Sequence, residues 1–211
     1  MSENDRTEPE WRAVLDGDKE RFNRLIEPLV PELLAAAREE LAHFVELGEI
    51  PEGSWAVEDL LAEAVLRAWR NRHRRPPQAS LKAWLLAILY RLIDDIAARE
   101  RRRREVAETA SEQRPEIPPL EDEDAFWEWF QPADLPLVEP LMPEQTPSPE
   151  EIAELLETRP RAIGTAARRA LVMHRRHGIE LAEIGAVLRR SAAETRTLIL
   201  EAGRRLREQR T

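Results

Sequence analysis

Residues 180–206, ELAEIGAVLRRSAAETRTLILEAGRRL, contain two helical patterns separated by a tight turn. The first pattern has apolar residues at helical spacing, namely Leu181, Ile184 and Leu188. After Arg189-Arg190, Ser191 and Glu194 have the spacing of a capping box, which predicts that a second helix begins here and continues to about Glu208. A short helix, a tight turn and a longer helix predict a helix-turn-helix.

In a helix-turn-helix, the early residues of the second helix face base edges and nearby cations contact phosphates. The candidate DNA-binding residues of this segment are therefore Arg189, Arg190, Ser191, Ala193, Glu194, Arg196, Thr197, Arg204 and Arg205. Two interpretations of Glu194 stay open at this stage. Its carboxylate can accept a hydrogen bond from a cytosine amine, or it can serve only the helix cap.

The middle of the chain differs in composition from both ends. Residues 105–157 contain 16 acidic residues and one basic residue, whereas the rest of the chain contains 31 basic and 25 acidic residues. Prolines recur throughout residues 105–147 and exclude a continuous helix there. We therefore predict an all-α fold with two small helical domains, at residues 1–104 and 148–211, joined by an acidic, proline-rich linker at 105–147. The aromatic residues at 126–130 are too apolar to remain fully in water and should be covered.

The first domain contains an amphipathic helix, predicted from about Val57 to Asn71. A basic loop follows at residues 71–79, and Ser80 is a predicted N-cap of a longer helix that ends in four arginines at 101–104. Cations near a helix C-terminus are often only a solvated end. Here, cations precede and follow the same helix beside a predicted helix-turn-helix, which favours a phosphate-binding surface.

Composition also bears on the class of protein. The chain has no cysteine, and its four histidines do not cluster with acids, so neither a metal nor a cofactor is expected. No apolar run approaches the roughly 20 residues needed to span a bilayer, which predicts a cytoplasmic protein without membrane insertion. No paired acids, nucleophile-base set or glycine-rich phosphate loop is evident. We therefore expect that the protein is not an enzyme and has no small-molecule substrate.

Residues 57–61 (VEDLL), 68–70 (AWR) and 84–88 (WLLAI) resemble the first conserved domain of extracytoplasmic-function sigma factors. Residues 183–185 (EIG) and 202–206 (AGRRL) are similar to the promoter-reading domain of that family. The resemblance covers nearly all of the chain outside the linker. It implies a region-2-like helical bundle and a region-4-like helix-turn-helix in an alternative sigma factor. Such a factor binds core RNA polymerase, recognises minus-ten and minus-thirty-five promoter elements, and promotes melting.

The resemblance also implies roles for residues of the first domain. The predicted polymerase-binding residues are Asp59, Leu60, Glu63, Arg67 and Arg70. The predicted minus-ten DNA-binding residues are Asn71, Arg72, His73, Arg74, Arg75, Lys82, Trp84, Arg91, Arg99, Arg101, Arg102, Arg103 and Arg104. The expected partners are core RNA polymerase and promoter DNA, while an anti-sigma factor stays open.

One other class of function stays open. A helix-turn-helix regulator that acts without polymerase would explain the C-terminal third of the chain. It would leave the charged face of the helix at Asp59–Arg70 and the basic loop without a task. Polymerase binding discriminates between the two classes.

Overall fold

The computed structural model describes residues 10–76, 79–109, 148, 150, 152 and 163–208. All regular structure within these residues is helical, which confirms the predicted all-α fold. The chain divides into two compact units: Met1–Arg75 with Trp84–Phe126, and Pro76–Ala83 with Trp127–Thr211. The domain limits deduced from composition stay predictions. The aromatic residues at 126–130 lie outside the described residues.

The helices of the first unit follow the apolar periodicity of its sequence. Residues 10–15 form helix α1, and Gly17, at a φ of 101°, makes the turn into the next helix. The side chain of Asp18 then accepts a hydrogen bond of 2.9 Å from the backbone N–H of Arg21, as an N-cap does. The other helical elements are α2 (Lys19–Ile26), a 3-10 turn (Glu27–Leu29), α3 (Val30–Glu46), α4 (Val57–Arg70), a 3-10 turn (Arg72–Arg74) and α5 (Leu81–Thr109).

Helix α5 is the main apolar element of the chain. Every residue from Trp84 to Tyr90 is buried, which is typical of a helix that is apolar on all sides rather than on one stripe. The helix extends to Thr109, five residues beyond the predicted end of the first domain. Glu105 to Glu108 contain no proline or glycine, so nothing in the local sequence stops the helix at the arginine run.

Four aromatic side chains hold α1, α2, α4 and α5 together, and we call them the aromatic cluster: Trp11, Phe22, Trp69 and Trp84. The ring centroid of Trp11 lies 6.2 Å from that of Phe22 and 5.6 Å from that of Trp84, which it meets edge to face. The rings of Phe22 and Trp69 are 5.2 Å apart. Each such pair contributes about 0.5–1.5 kcal/mol beyond the burial of its area.

The second unit contains three described helices: α6 (Thr165–Arg175), α7 (Leu181–Leu188) and α8 (Ala192–Glu208). Leu171, Met173, Ile184 and Ile199 are fully buried and supply one side chain or more from each helix to a common core. Gly178, at a φ of 64°, allows the chain to turn sharply after α6. None of the helices in the described part of the chain is long and apolar enough to cross a membrane.

The turn between α7 and α8 depends on a close approach of backbone to backbone. Arg189 adopts the left-handed conformation, with a φ of 55°, and the N–H of Arg190 donates to the carbonyl of Gly185 at 2.8 Å. A Cβ atom on Gly185 would lie 2.5 Å from the carbonyl oxygen of Arg190 and 3.2 Å from Oγ1 of Thr195. Only glycine therefore fits at position 185 without displacing the turn.

Replacing Gly185 with serine should lower the free energy of unfolding of the second unit by about 2 kcal/mol, because the new Cβ collides with backbone. Gly164→Ser is the matched control, since a Cβ at Gly164 meets nothing within 4 Å and serine is a favoured N-cap residue for α6. Urea unfolding followed by circular dichroism measures both. Equal stability of the two variants would contradict the steric explanation.

Candidate functional site

The outer face of α4 presents a narrow stripe that we call the α4 stripe: Asp59, Ala62, Leu66 and Arg70. These residues are spaced three and four apart, all are exposed, and Glu63 lies half-exposed beside them. Leu66 is 40% exposed, which is unusual for a large apolar side chain in this unit. Leu60 is fully buried, so of the predicted polymerase-binding residues it has no surface to offer a partner.

An ion-pair network lies beneath this stripe and joins α4 to α5. Nε of Arg67 is 3.0 Å from Oε1 of Glu63, and Nη1 of Arg67 is 3.1 Å from Oδ2 of Asp95. Oδ1 of Asp95 also lies 3.3 Å from Nε of Arg91. The side chains of Arg67 and Asp95 are only 14% and 12% exposed, so solvent screens this pair less than a surface pair. Arg67, predicted to bind polymerase, thus holds α4 against α5, whereas Arg91, predicted to bind DNA, pairs with Asp95 within α5.

The basic loop is held down by two of its own arginines. Arg72 donates from Nε to the carbonyl of Val14 and from Nη1 to the carbonyl of Trp69, both at 3.1 Å. Its guanidinium lies 4.5 Å from the ring centroid of Trp69, and that of buried Arg75 lies 4.7 Å from the centroid of Trp11. Both are cation-π contacts with the aromatic cluster.

The remaining loop residues differ in exposure. His73 is exposed, while Arg74 is half-buried. The side-chain amide of Asn71 donates to the carbonyl of Arg67 at 3.0 Å and so serves the C-terminal end of α4. The loop therefore offers DNA fewer free cations than its sequence indicates.

The start of α5 has its own cap. Oγ of Ser80 accepts from the backbone N–H of Ala83 at 3.2 Å, as the sequence predicts. The backbone N–H of Ser80 donates to Oε1 of Glu183 at 2.6 Å, within the second unit. Lys82 is half-buried, and Trp84 has no exposed surface because it belongs to the aromatic cluster. Trp84 therefore cannot stack on a base without leaving the core.

Some arginines at the end of α5 bond to the segment that follows α3, and others remain exposed. Arg104 donates to the carbonyls of Gly48 and Glu49, at 2.5 and 2.9 Å, and Arg101 lies 3.5 Å from the Glu49 carboxylate. Arg103 keeps 82% of its side chain exposed, at 3.9 Å from Glu100. Arg99 is exposed and Arg102 half-buried. The outward positive charge at this end of α5 thus comes mainly from Arg99, Arg102 and Arg103.

In the second unit, Ser191 and Glu194 form the predicted capping box. The N–H and the Oγ of Ser191 each donate to Oε2 of Glu194 at 2.8 Å, and the Glu194 N–H donates to Oγ of Ser191 at 3.2 Å. The bonds that Glu194 accepts from Ser191 lower the pKa of its carboxyl, and the bond from the Ser191 backbone has the largest effect. The geometry explains Glu194 as a cap, and a contact between its other oxygen and a cytosine stays a hypothesis.

Most of the other residues nominated in the helix-turn-helix lie on its surface. Oγ1 of Thr197 donates to the carbonyl of Ala193 at 3.1 Å, and both residues are exposed at the start of α8. Arg196 is half-buried, so its side chain is less available to bases than its position in α8 indicates. The exposed arginines of this segment are Arg189, Arg190, Arg204 and Arg205.

Sequence reasoning missed two features of these surfaces. Leu66 was not nominated, although its spacing of seven residues from Asp59 would have placed it on the same face. The contacts of Arg72 and Arg75 with Val14 and Trp11 join positions about 60 residues apart, and no local pattern indicates them.

Glu194→Gln should lower the melting temperature at neutral pH, because the neutral amide is a weaker acceptor for the two Ser191 donors. The folded pKa lies below the ordinary value of 4.5, so the carboxylate's contribution is complete above that pH and is lost as the pH falls through the folded pKa. The difference in melting temperature between Glu194→Gln and the wild-type chain should therefore narrow as the pH falls below 4.5. Glu201→Gln, at an exposed position of α8, is the control. A difference in melting temperature that stays constant with pH would refute the capping role of the Glu194 charge.

No curated protein matches the chain significantly. The fold is similar to that of CnrH, which was solved in complex with the cytosolic domain of CnrY. The two chains are 18% identical, the match covers 95% of this chain and 94% of CnrH, and the TM-score is 0.53. The sigma factor RpoE of Bartonella quintana, solved with the anti-sigma factor NepR, is 17% identical over 86% of this chain and 96% of its own, with a TM-score of 0.45.

The family comparison concerns the segment that contains α4, the basic loop and most of α5. Residues 48–104 match the sigma-70 region 2 family. This is the segment in which the α4 stripe, the ion-pair network and the two cation-π contacts lie. This segment therefore resembles sigma-70 region 2, which bears out the predicted resemblance of the chain to the extracytoplasmic-function sigma factors.

Proposed function

We propose that this chain is a sigma factor that binds core RNA polymerase, recognises minus-ten and minus-thirty-five promoter elements, and promotes promoter melting. The observation that supports this most is the α4 stripe, an exposed apolar residue between charged ones on a helix of the matched region 2 segment. The same segment presents cations beyond the stripe, so one unit offers a protein-binding face and a DNA-binding face.

The polymerase-binding surface in this proposal is the α4 stripe with Glu63. Leu66 is the central anchor, because an apolar side chain that becomes buried on binding contributes more than a rim charge that stays in water. Asp59, Glu63 and Arg70 surround it and set the orientation of the partner. Leu60 and Arg67 act from beneath, the first by packing and the second through its bond to Asp95.

The minus-ten DNA in this proposal contacts the loop and the outward face of α5. His73 is the exposed side chain among the loop residues that the structure describes, and Arg99, Arg102 and Arg103 supply positive charge for phosphates at the far end of the helix. A base extruded from the duplex costs a few kcal/mol, and a rigid loop beside phosphate contacts offsets this cost. Asn71, Arg72 and Arg75 support the loop from within.

The minus-thirty-five element in this proposal contacts the helix-turn-helix of the second unit. Ala193 and Thr197 lie at the exposed start of α8, where a recognition helix meets base edges, and both present a methyl group of the kind that packs on thymine. Arg189, Arg190, Arg204 and Arg205 are placed to contact phosphates.

The proposal also covers location and partners. A protein that binds polymerase and promoters acts in the cytoplasm on the nucleoid, and as a regulator of transcription it needs no catalytic group. CnrH is solved with the cytosolic domain of another protein, CnrY. We propose that this chain also binds a partner protein, an anti-sigma factor.

Run-off transcription with purified bacterial core polymerase, this protein and a pool of genomic fragments tests the proposal. Discrete transcription starts that require the protein, and that share sequence elements about one and three helical turns upstream, are the expected result. DNA binding without protein-dependent starts and without affinity for core polymerase would favour the regulator that acts without polymerase.

Leu66→Asp should weaken binding to core polymerase at least about tenfold, because it places a charge at the centre of the contact surface. Ala42→Asp is the matched control, since it adds the same charge at an exposed position of α3 outside the proposed surface. Fluorescence anisotropy of the labelled chain titrated with core polymerase gives both affinities. Equal affinities of the two variants would exclude the α4 stripe as the polymerase-binding surface.

A further inference from the structure

We propose that Arg72 is a positioning residue that holds residues 71–76 of the basic loop against helices α1 and α4 and does not itself contact DNA. The inference rests on the proposed function and deepens it, because it makes α1 a part of the DNA-binding site. From the sequence, Arg72 and its neighbours were predicted to contact DNA. In the structure, the guanidinium of Arg72 bonds to other groups of the protein.

Arg72 bonds to carbonyl groups at the ends of two helices. Val14 lies in the last turn of α1, where its carbonyl also accepts from the N–H of Gly17 at 3.0 Å, and Trp69 lies in the last turn of α4. Carbonyl groups at helix C-termini lack intrahelical partners and attract positive charge. One guanidinium bonds to both ends through two different nitrogens, so it fixes the end of α1 relative to the end of α4.

The aromatic cluster gives the loop a second point of attachment. Arg72 stacks on Trp69 at the start of the loop and Arg75 on Trp11 near its end. Between them, the N–H of Arg74 donates to the carbonyl of Asn71 at 2.8 Å and closes a 3-10 turn. With both ends attached and the middle turned tightly, His73 is held on the exposed side.

Lysine cannot replace arginine in this arrangement. The two carbonyl acceptors and the Trp69 ring require donors on separate nitrogens and a planar cation that stacks. A lysine ammonium keeps the charge but lacks both the fork and the plane. If Arg72 instead contacts phosphate, lysine should serve nearly as well, because phosphate binding depends mainly on charge. The two roles therefore predict different behaviour for Arg72→Lys.

The experiment compares the full-length wild-type chain with Arg72→Ala, Arg72→Lys and the control Arg24→Ala, which removes one exposed cation of α2 far from the loop in sequence. Hydrogen exchange of residues 71–76 in the free chain measures attachment of the loop. Promoter melting with core polymerase, followed by 2-aminopurine in the minus-ten element at several salt concentrations, measures function. Circular dichroism confirms that each variant retains its helices, and Arg72→Lys carries the test if Arg72→Ala does not fold.

Both Arg72 variants should exchange the loop amides at least about tenfold faster and melt the promoter about five- to tenfold less, with the salt dependence of wild type. Arg24→Ala should resemble wild type in both assays. Wild-type melting by Arg72→Lys, or a salt slope reduced by about one in Arg72→Ala, would identify a phosphate contact and overturn the inference. Unchanged exchange in both Arg72 variants would overturn it whatever polymerase does, whereas absence of melting by the wild-type chain would refute the proposed function instead.

Discussion

Contact among Trp11, Phe22, Trp69 and Trp84 is the interaction on which the first unit depends. These side chains come from four different helices, and each ring touches at least one other at 5.2–6.2 Å between centroids. Because large rings bury much apolar area and pack only in certain orientations, the cluster sets how α1, α2 and α4 lie against α5. The basic loop is attached to the same cluster, so its shape is determined by the core.

Arginine has a structural role in this protein more often than its exposed charge would indicate. Arg67 joins α4 to α5 through Asp95, Arg72 joins two helix ends, and Arg104 donates to the carbonyls that follow α3. In each case the acceptors are carboxylate or carbonyl oxygens that would otherwise need water. The cations left over for DNA are those on the outward side, such as Arg99 and Arg103. The division of labour among similar residues depends on which oxygens lie within reach.

The second unit reaches its shape by local rules. Gly185 permits the close approach of the turn, Arg189 adopts a left-handed conformation, and Ser191 with Glu194 starts α8. Each of these features involves residues within ten positions of one another. This is the reason that the helix-turn-helix could be located in the sequence, with the start of α8 after Ser191 and its end at Glu208 as predicted.

The sequence by itself determined the all-α class, the amphipathic α4, the caps at Ser80 and Ser191 and the resemblance to sigma factors, because periodicity, capping and motif order are properties of neighbouring residues. Only the tertiary structure decided which nominated residues face outward. In the folded chain Leu60 and Trp84 are buried and Leu66 is exposed. Arg67, Arg72 and Arg75 bond to or stack on other groups of the protein. An arginine is equally suited to a phosphate, a carboxylate or an aromatic ring, and the choice depends on groups that folding brings near from distant positions.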